Sequence, residues 1–132
     1  MPNLPDIRYA ARVIVVDDDD AVRESLGVLL EAHKFHALLY RTGEDILAAR
    51  WPHDVDCILL DLNLPGISGL DVMTFIHSKM PGVPVVLMTA LRTGQLKDAA
   101  KSAGAVALLD KPVEEGTLIE AIKMAIGSPE LA

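Results

Sequence analysis

"VIVVDDDDAVRESL", residues 13–26, decides how this chain is to be read. Four β-branched aliphatic residues make a strand too apolar to face water on either side. The run stops at Asp17, Asp18, Asp19 and Asp20, and a helical pattern follows, with Val22, Leu26, Leu29 and Leu30 recurring on one face. Four adjacent carboxylates repel one another, and beside a low-dielectric interior they repel more strongly than in water. A helix N-cap accounts for Asp19 or Asp20. The others need compensation, from solvent in a plain turn or from a bound cation, and the rest of the chain discriminates between the two.

Outward from this stretch, apolar runs alternate with helical patterns. "HALLY" (36–40) is a second, weaker strand, and "GEDILAA" (43–49) a short helix. "DCILL" (56–60) is a third strand, fully apolar as a central parallel strand should be. "GLDVMTFIHSKM" (69–80) sets Leu70, Met73, Phe75 and Ile76 on roughly one helical face. "PVVLM" (84–88), "LKDAAKSAG" (96–104), "AVALL" (105–109) and "EEGTLIEAIKMAI" (114–126) continue as strand, helix, strand, helix, the last with Leu118, Ile119, Ile122 and Ile126 as its stripe. Five βα units in strict alternation predict a doubly wound α/β sandwich around a five-stranded parallel sheet with five helices.

The 132 residues suffice for one domain with a core, which must be aliphatic because 51% of the chain is hydrophobic and only 4% aromatic. No apolar run is long enough to cross a bilayer, and "MPNLPDIRYAAR" lacks the apolar centre of a signal peptide. Cys57 is the lone cysteine, which excludes an internal disulfide and fits a reducing cytoplasm; within "DVDCILLD" it reads as a buried, unreactive thiol. The net charge of −7 and the scatter of the 12 basic residues argue against direct contact with nucleic acid. His33, His36, His53 and His77 stand at unrelated positions, and Trp51 before Pro52 reads as a loop anchor.

In doubly wound sheets, ligands bind beyond the carboxyl ends of the strands, near a switch in strand order. Asp17 and Asp18 follow the first strand, Asp61 the third, Thr89 the fourth and Lys111 the fifth. Taken singly, each has an ordinary explanation as a cap, a strand end or a solvated charge. Together they bring three carboxylates, a hydroxyl and an ammonium to one edge. Clustered carboxylates are a hard-oxygen site suited to Mg²⁺. Asp61 is then the nucleophile, able to form an aspartyl phosphate. Thr89 and Lys111 would serve the phosphoryl oxygens, while Pro65, Gly66 and Gly69 allow a sharp turn beside them.

On "VVDDD", "LLDLNLPGISGLD", "MTA" and "LLDKP" the chain resembles the response-regulator receiver domains of bacterial two-component signalling, from about residue 12 to residue 126. The resemblance implies the flavodoxin-like strand order 2-1-3-4-5 and a cis Lys111–Pro112 bond. It makes Asp61 the phosphoacceptor and Thr89 and Lys111 its catalytic partners. Asp17, Asp18, Asp61 and the main-chain carbonyl of Asn63 become ligands of Mg²⁺. It further implies a phosphorylation-activated switch rather than an enzyme, acting only in its own phosphorylation and dephosphorylation. The phosphoryl donor would be a histidine kinase or phosphotransfer protein, and the output a downstream protein or domain or a phosphorylation-dependent homodimer, in the cytoplasm.

Residues 1–11 are expected to be a flexible extension, 12–126 the receiver domain, and 127–132 a tail or linker stub. Leu108 and Val113 replace aromatics common in relatives, so the switch is expected to rest on Thr89 and on the loop from Ala90 to Gly94. Two other readings compete. One is the input half of a longer DNA-binding regulator. The other is a haloacid-dehalogenase-like phosphatase, which would favour a second Asp where Asn63 stands and a cap domain for which the chain has no length.

Overall fold

The computed structural model describes residues 11–50, 54–90 and 94–127. The expected Trp51–Pro52 anchor, residues 91–93 of the switch loop and all but residues 11 and 127 of the two tails lie outside the described residues. The elements in chain order are β1 Arg12–Val16, α1 Asp20–Ala32, β2 His36–Tyr40, α2 Gly43–Ala48, β3 Val55–Asp61, α3 Gly69–Lys79, β4 Val85–Thr89, α4 Gly94–Ser102, β5 Ala107–Asp110 and α5 Glu115–Ile126. The strands form one parallel sheet in the order β2-β1-β3-β4-β5. The expected alternation and strand order are therefore both present.

Because successive strand residues face opposite sides, the sheet divides its aliphatic residues between two cores. Ile14, Val16, Ile58, Leu60, Val85 and Leu87 pack with Val72, Met73 and Ile76 of α3 on one side. Val13, Val15, Cys57, Leu59, Val86 and Met88 pack with Leu26 and Leu30 of α1 and Leu118 and Ile122 of α5 on the other. Cys57 is fully buried, and loss of hydration pushes its thiol up to about 12, with the charge of Asp56 adding to the effect.

Two local expectations need correcting. The buried stripe of α3 is Val72, Met73 and Ile76, with Phe75 only half-buried and Lys79 lying 5.6 Å from its ring centre. Residue 72 falls on the face shared by 69, 73 and 76, and residue 75 falls beside it. β5 starts at Ala107, two residues later than its apolar run. Gly104 turns the chain there with φ +97°, leaving Val106 half exposed.

The helix starts follow their side chains. The Asp19 carboxylate accepts from the Val22 amide at 3.0 Å and caps α1, and Ser68 does the same for α3 with the Asp71 amide. The turn from β3 into α3 needs its glycines. Gly66 has φ +75°, and a Cβ on Gly69 would stand 2.6 Å from the Cα of Leu62 and 2.8 Å from the carbonyl oxygen of Asp61. The Lys111–Pro112 peptide is cis.

Candidate functional site

β1 and β3 are neighbours although β2 lies between them in sequence, so the strand order reverses at their shared carboxyl edge. Val16 pairs with Leu60, which sets Asp17 and Asp61, each the next residue, beside one another. On the far side Asp61 is in register with Met88, and Thr89 with Asp110. Among the described residues, the buried polar side chains are Asp17 (0% exposed), Thr89 (1%) and Asp61 (2%). All three lie at this edge, where burial demands partners.

Those partners come largely from the chain itself. The Lys111 ammonium donates to Asp17 Oδ2 at 2.9 Å and to Asp61 Oδ2 at 3.0 Å. The Asp19 amide donates to Asp17 Oδ1 at 2.9 Å, and the Asn63 amide to Asp61 Oδ1 at 2.8 Å. Partial burial of Lys111 works against its charge, but hydrogen bonds and attraction from both carboxylates outweigh it, and its pKa lies above the ordinary lysine value. Asp18 is exposed, yet one carboxylate oxygen each from Asp17, Asp18 and Asp61 lies within 4.8 Å of the other two.

Three carboxylates against one ammonium leave two negative charges uncompensated. Together with the all-oxygen donor set, this suits a small divalent cation of the Mg²⁺ type. Of the predicted site residues, Asp17, Asp61 and Lys111 are thus in direct contact, Asp18 completes the acidic cluster, and Thr89 stands at the next strand end.

Two groups escaped the sequence reading. The Asn63 side chain reaches β4: its Oδ1 accepts from Thr89 Oγ1 at 3.3 Å and from the Ala90 amide at 3.4 Å. The family resemblance implicates only the main-chain carbonyl of Asn63, although a polar side chain between two leucines in "LNLP" is a usable signal. The Arg23 guanidinium donates to the Asp17 carbonyl at 2.9 Å and to the Asp20 carboxylate at 2.6 Å. It holds Asp20 below the usual carboxylate range and ties the acidic turn to α1, with Arg41 adding its charge. Its signal was the spacing of three between Asp20 and Arg23 on one helix face.

Residues 13–123 match the family described as the response regulator receiver domain. The transcriptional regulatory protein FixJ of Azorhizobium caulinodans is 36% identical over 115 residues, covering 87% of this chain and 54% of FixJ. The sensory/regulatory protein RpfC of Xanthomonas campestris pv. campestris is 34% identical over 138 residues, covering 97% of this chain and 19% of RpfC. The chain therefore spans about half of one of these relatives and about a fifth of the other. Among solved structures, a CheY-like receiver domain protein from Methanospirillum hungatei superposes with a TM-score of 0.84 at 27% identity, covering 92% of this chain and 97% of that one. The non-phosphorylated HemR receiver domain from Leptospira biflexa gives 0.81 at 26% identity, covering 88% and 94%.

Proposed function

The chain belongs to the response regulator receiver domain family, a family of signalling domains, and from that premise we propose that Asp61 is its phosphoacceptor. The observation that carries this reading is a carboxylate 2% exposed at the reversal of strand order, within 4.8 Å of two further carboxylates and bonded to a buried-edge ammonium. A carboxylate in that position is desolvated enough to be a useful nucleophile and is held in one orientation by the Asn63 amide and Lys111. An Asp61 oxygen attacks phosphorus, the bond from phosphorus to the donor breaks, and the donor leaves with its electron pair. An acyl phosphate remains on Asp61.

Lys111 is already on Asp61 Oδ2 and is positioned to follow the charge onto the phosphoryl oxygens. The Thr89 hydroxyl supplies a further donor. Asp17, Asp18, Asp61 and the Asn63 carbonyl would hold Mg²⁺, which when bound offsets the negative charge of the phosphoryl group.

The donor is a histidine kinase or phosphotransfer protein, the reader of the signal a separate protein, an attached domain or a second copy of the chain, and the place the cytoplasm. Residues 12–126 form the receiver unit. A second reading, the receiver half of a longer transcription regulator, is favoured by the 54% coverage of FixJ, and the full reading frame decides it. The proposal is tested by intact mass after incubation with acetyl phosphate. One phosphoryl adduct is expected with Mg²⁺ and none in EDTA or in Asp61→Asn. An adduct of equal yield in Asp61→Asn would overturn it.

A further inference from the structure

We propose that the Asn63 carboxamide is a latch that holds the Thr89 hydroxyl away from its phosphoryl-binding orientation until Asp61 is modified. The inference rests on the phosphoacceptor reading of Asp61. A backbone N–H can only donate, so the Asn63 atom facing the Ala90 amide at 3.4 Å must be the oxygen. The Thr89 hydroxyl meets that same oxygen at 3.3 Å, and toward an oxygen that can only accept it must be the donor. In the resting structure the Thr89 hydroxyl is therefore a donor to Asn63. A phosphoryl group on Asp61 can receive that hydrogen bond only if the hydroxyl lets go of Asn63.

Two features suit Asn63 to this role. Both bonds are long for their type, so the latch is weak enough to open. The same residue also senses the carboxylate, because its own amide donates to Asp61 Oδ1 at 2.8 Å. Modification of Asp61 acts on the Asn63 backbone directly, and the side chain passes the change to the end of β4. One residue links the chemistry at β3 to the strand end from which the switch loop leaves.

The test uses the full chain, labelled for amide NMR, and magnesium with beryllofluoride as the phosphoryl mimic. Without Mg²⁺ or mimic, the Thr89 and Ala90 amide resonances of Asn63→Ala are expected to lie partway toward their positions in the mimic-bound parent. Asn63→Asp, which keeps an acceptor oxygen, should stay at the parent's resting positions. Releasing a weak hydrogen bond that exists only in the resting state should tighten mimic binding by Asn63→Ala by about threefold. Should Asn63→Ala fold poorly by circular dichroism, Asn63→Leu, also without an acceptor, carries the same expectation.

Resonances of Asn63→Ala unmoved from the resting positions, or mimic binding by Asn63→Ala no tighter than by a parent that does bind it, would overturn the latch alone. A parent that takes up no mimic would overturn the phosphoacceptor reading, and the latch with it.

Discussion

Asp17 is fully buried and has two partners, the Lys111 ammonium and the Asp19 amide, whereas Asp18, the next residue, is exposed and adds its charge to the same cluster. Their substitutions should therefore act in opposite directions. Asp18→Asn removes one member of a repulsive group and breaks no side-chain hydrogen bond or ion pair among the described residues; without Mg²⁺ it should raise stability by about 0.5 kcal/mol while weakening Mg²⁺ binding. Asp17→Asn disturbs a buried charged hydrogen bond and should lower stability by about 1–3 kcal/mol. Urea unfolding in EDTA measures both. A less stable Asp18→Asn would show that this carboxylate is structural and that repulsion does not dominate the acidic turn in EDTA.

At this scale much of the site was legible, because each residue ends an apolar run and its type names its chemistry. The Asn63 side chain was not. Its contact with Thr89 spans 26 residues of sequence and depends on how far the β3–α3 turn carries it toward β4.

The element that fixes Asp61 is the turn from β3 into α3. A methyl group on Gly69 has no room between the Leu62 Cα and the Asp61 carbonyl, so Gly69→Ala must push the turn outward. A loss of about 1–3 kcal/mol is expected on thermal or urea unfolding, accompanied by slower phosphorylation, since the displaced carbonyl belongs to the proposed nucleophile's own residue. Unchanged stability would mean that the turn relaxes freely.

Within β3, Cys57 makes a pH prediction. Its folded pKa of about 12 exceeds the ordinary 9.0, so the unfolded chain loses this proton first. The thiol's contribution to stability is whole below pH 9.0 and is lost progressively as pH rises toward 12. At pH 10 the parent should have lost about 1 kcal/mol more than Cys57→Ala has, relative to pH 8, by urea unfolding. Parallel curves for the two proteins would contradict the burial argument. The strands themselves were readable as apolar runs, and α1 and α5 as periodic stripes. The start of β5 and the exposed side of Phe75 were not, because both depend on local geometry, a left-handed Gly104 and the exact angle of residue 75 around α3, that residue type does not encode.

Five short parallel strands end at one edge of the sheet, where the acidic cluster and Lys111 lie. The two aliphatic cores, one on each face of the sheet, are arranged so that every strand ends in the same direction and the polar residues that follow them meet. The site needs no helix interior and no cavity; it needs the order β2-β1-β3-β4-β5, which puts Asp17 next to Asp61 and Lys111 across both.

The proposed phosphoacceptor, Asp61, would carry the phosphoryl group as an acyl phosphate. Borohydride reduces an acyl phosphate to an alcohol, so treatment of the phosphorylated chain followed by peptide mass spectrometry reads the modified position. Homoserine is expected at position 61 after incubation with acetyl phosphate and Mg²⁺, and unaltered aspartate in EDTA. Homoserine at position 17 or 18, or a phosphoryl adduct that leaves position 61 as aspartate after reduction, would contradict it.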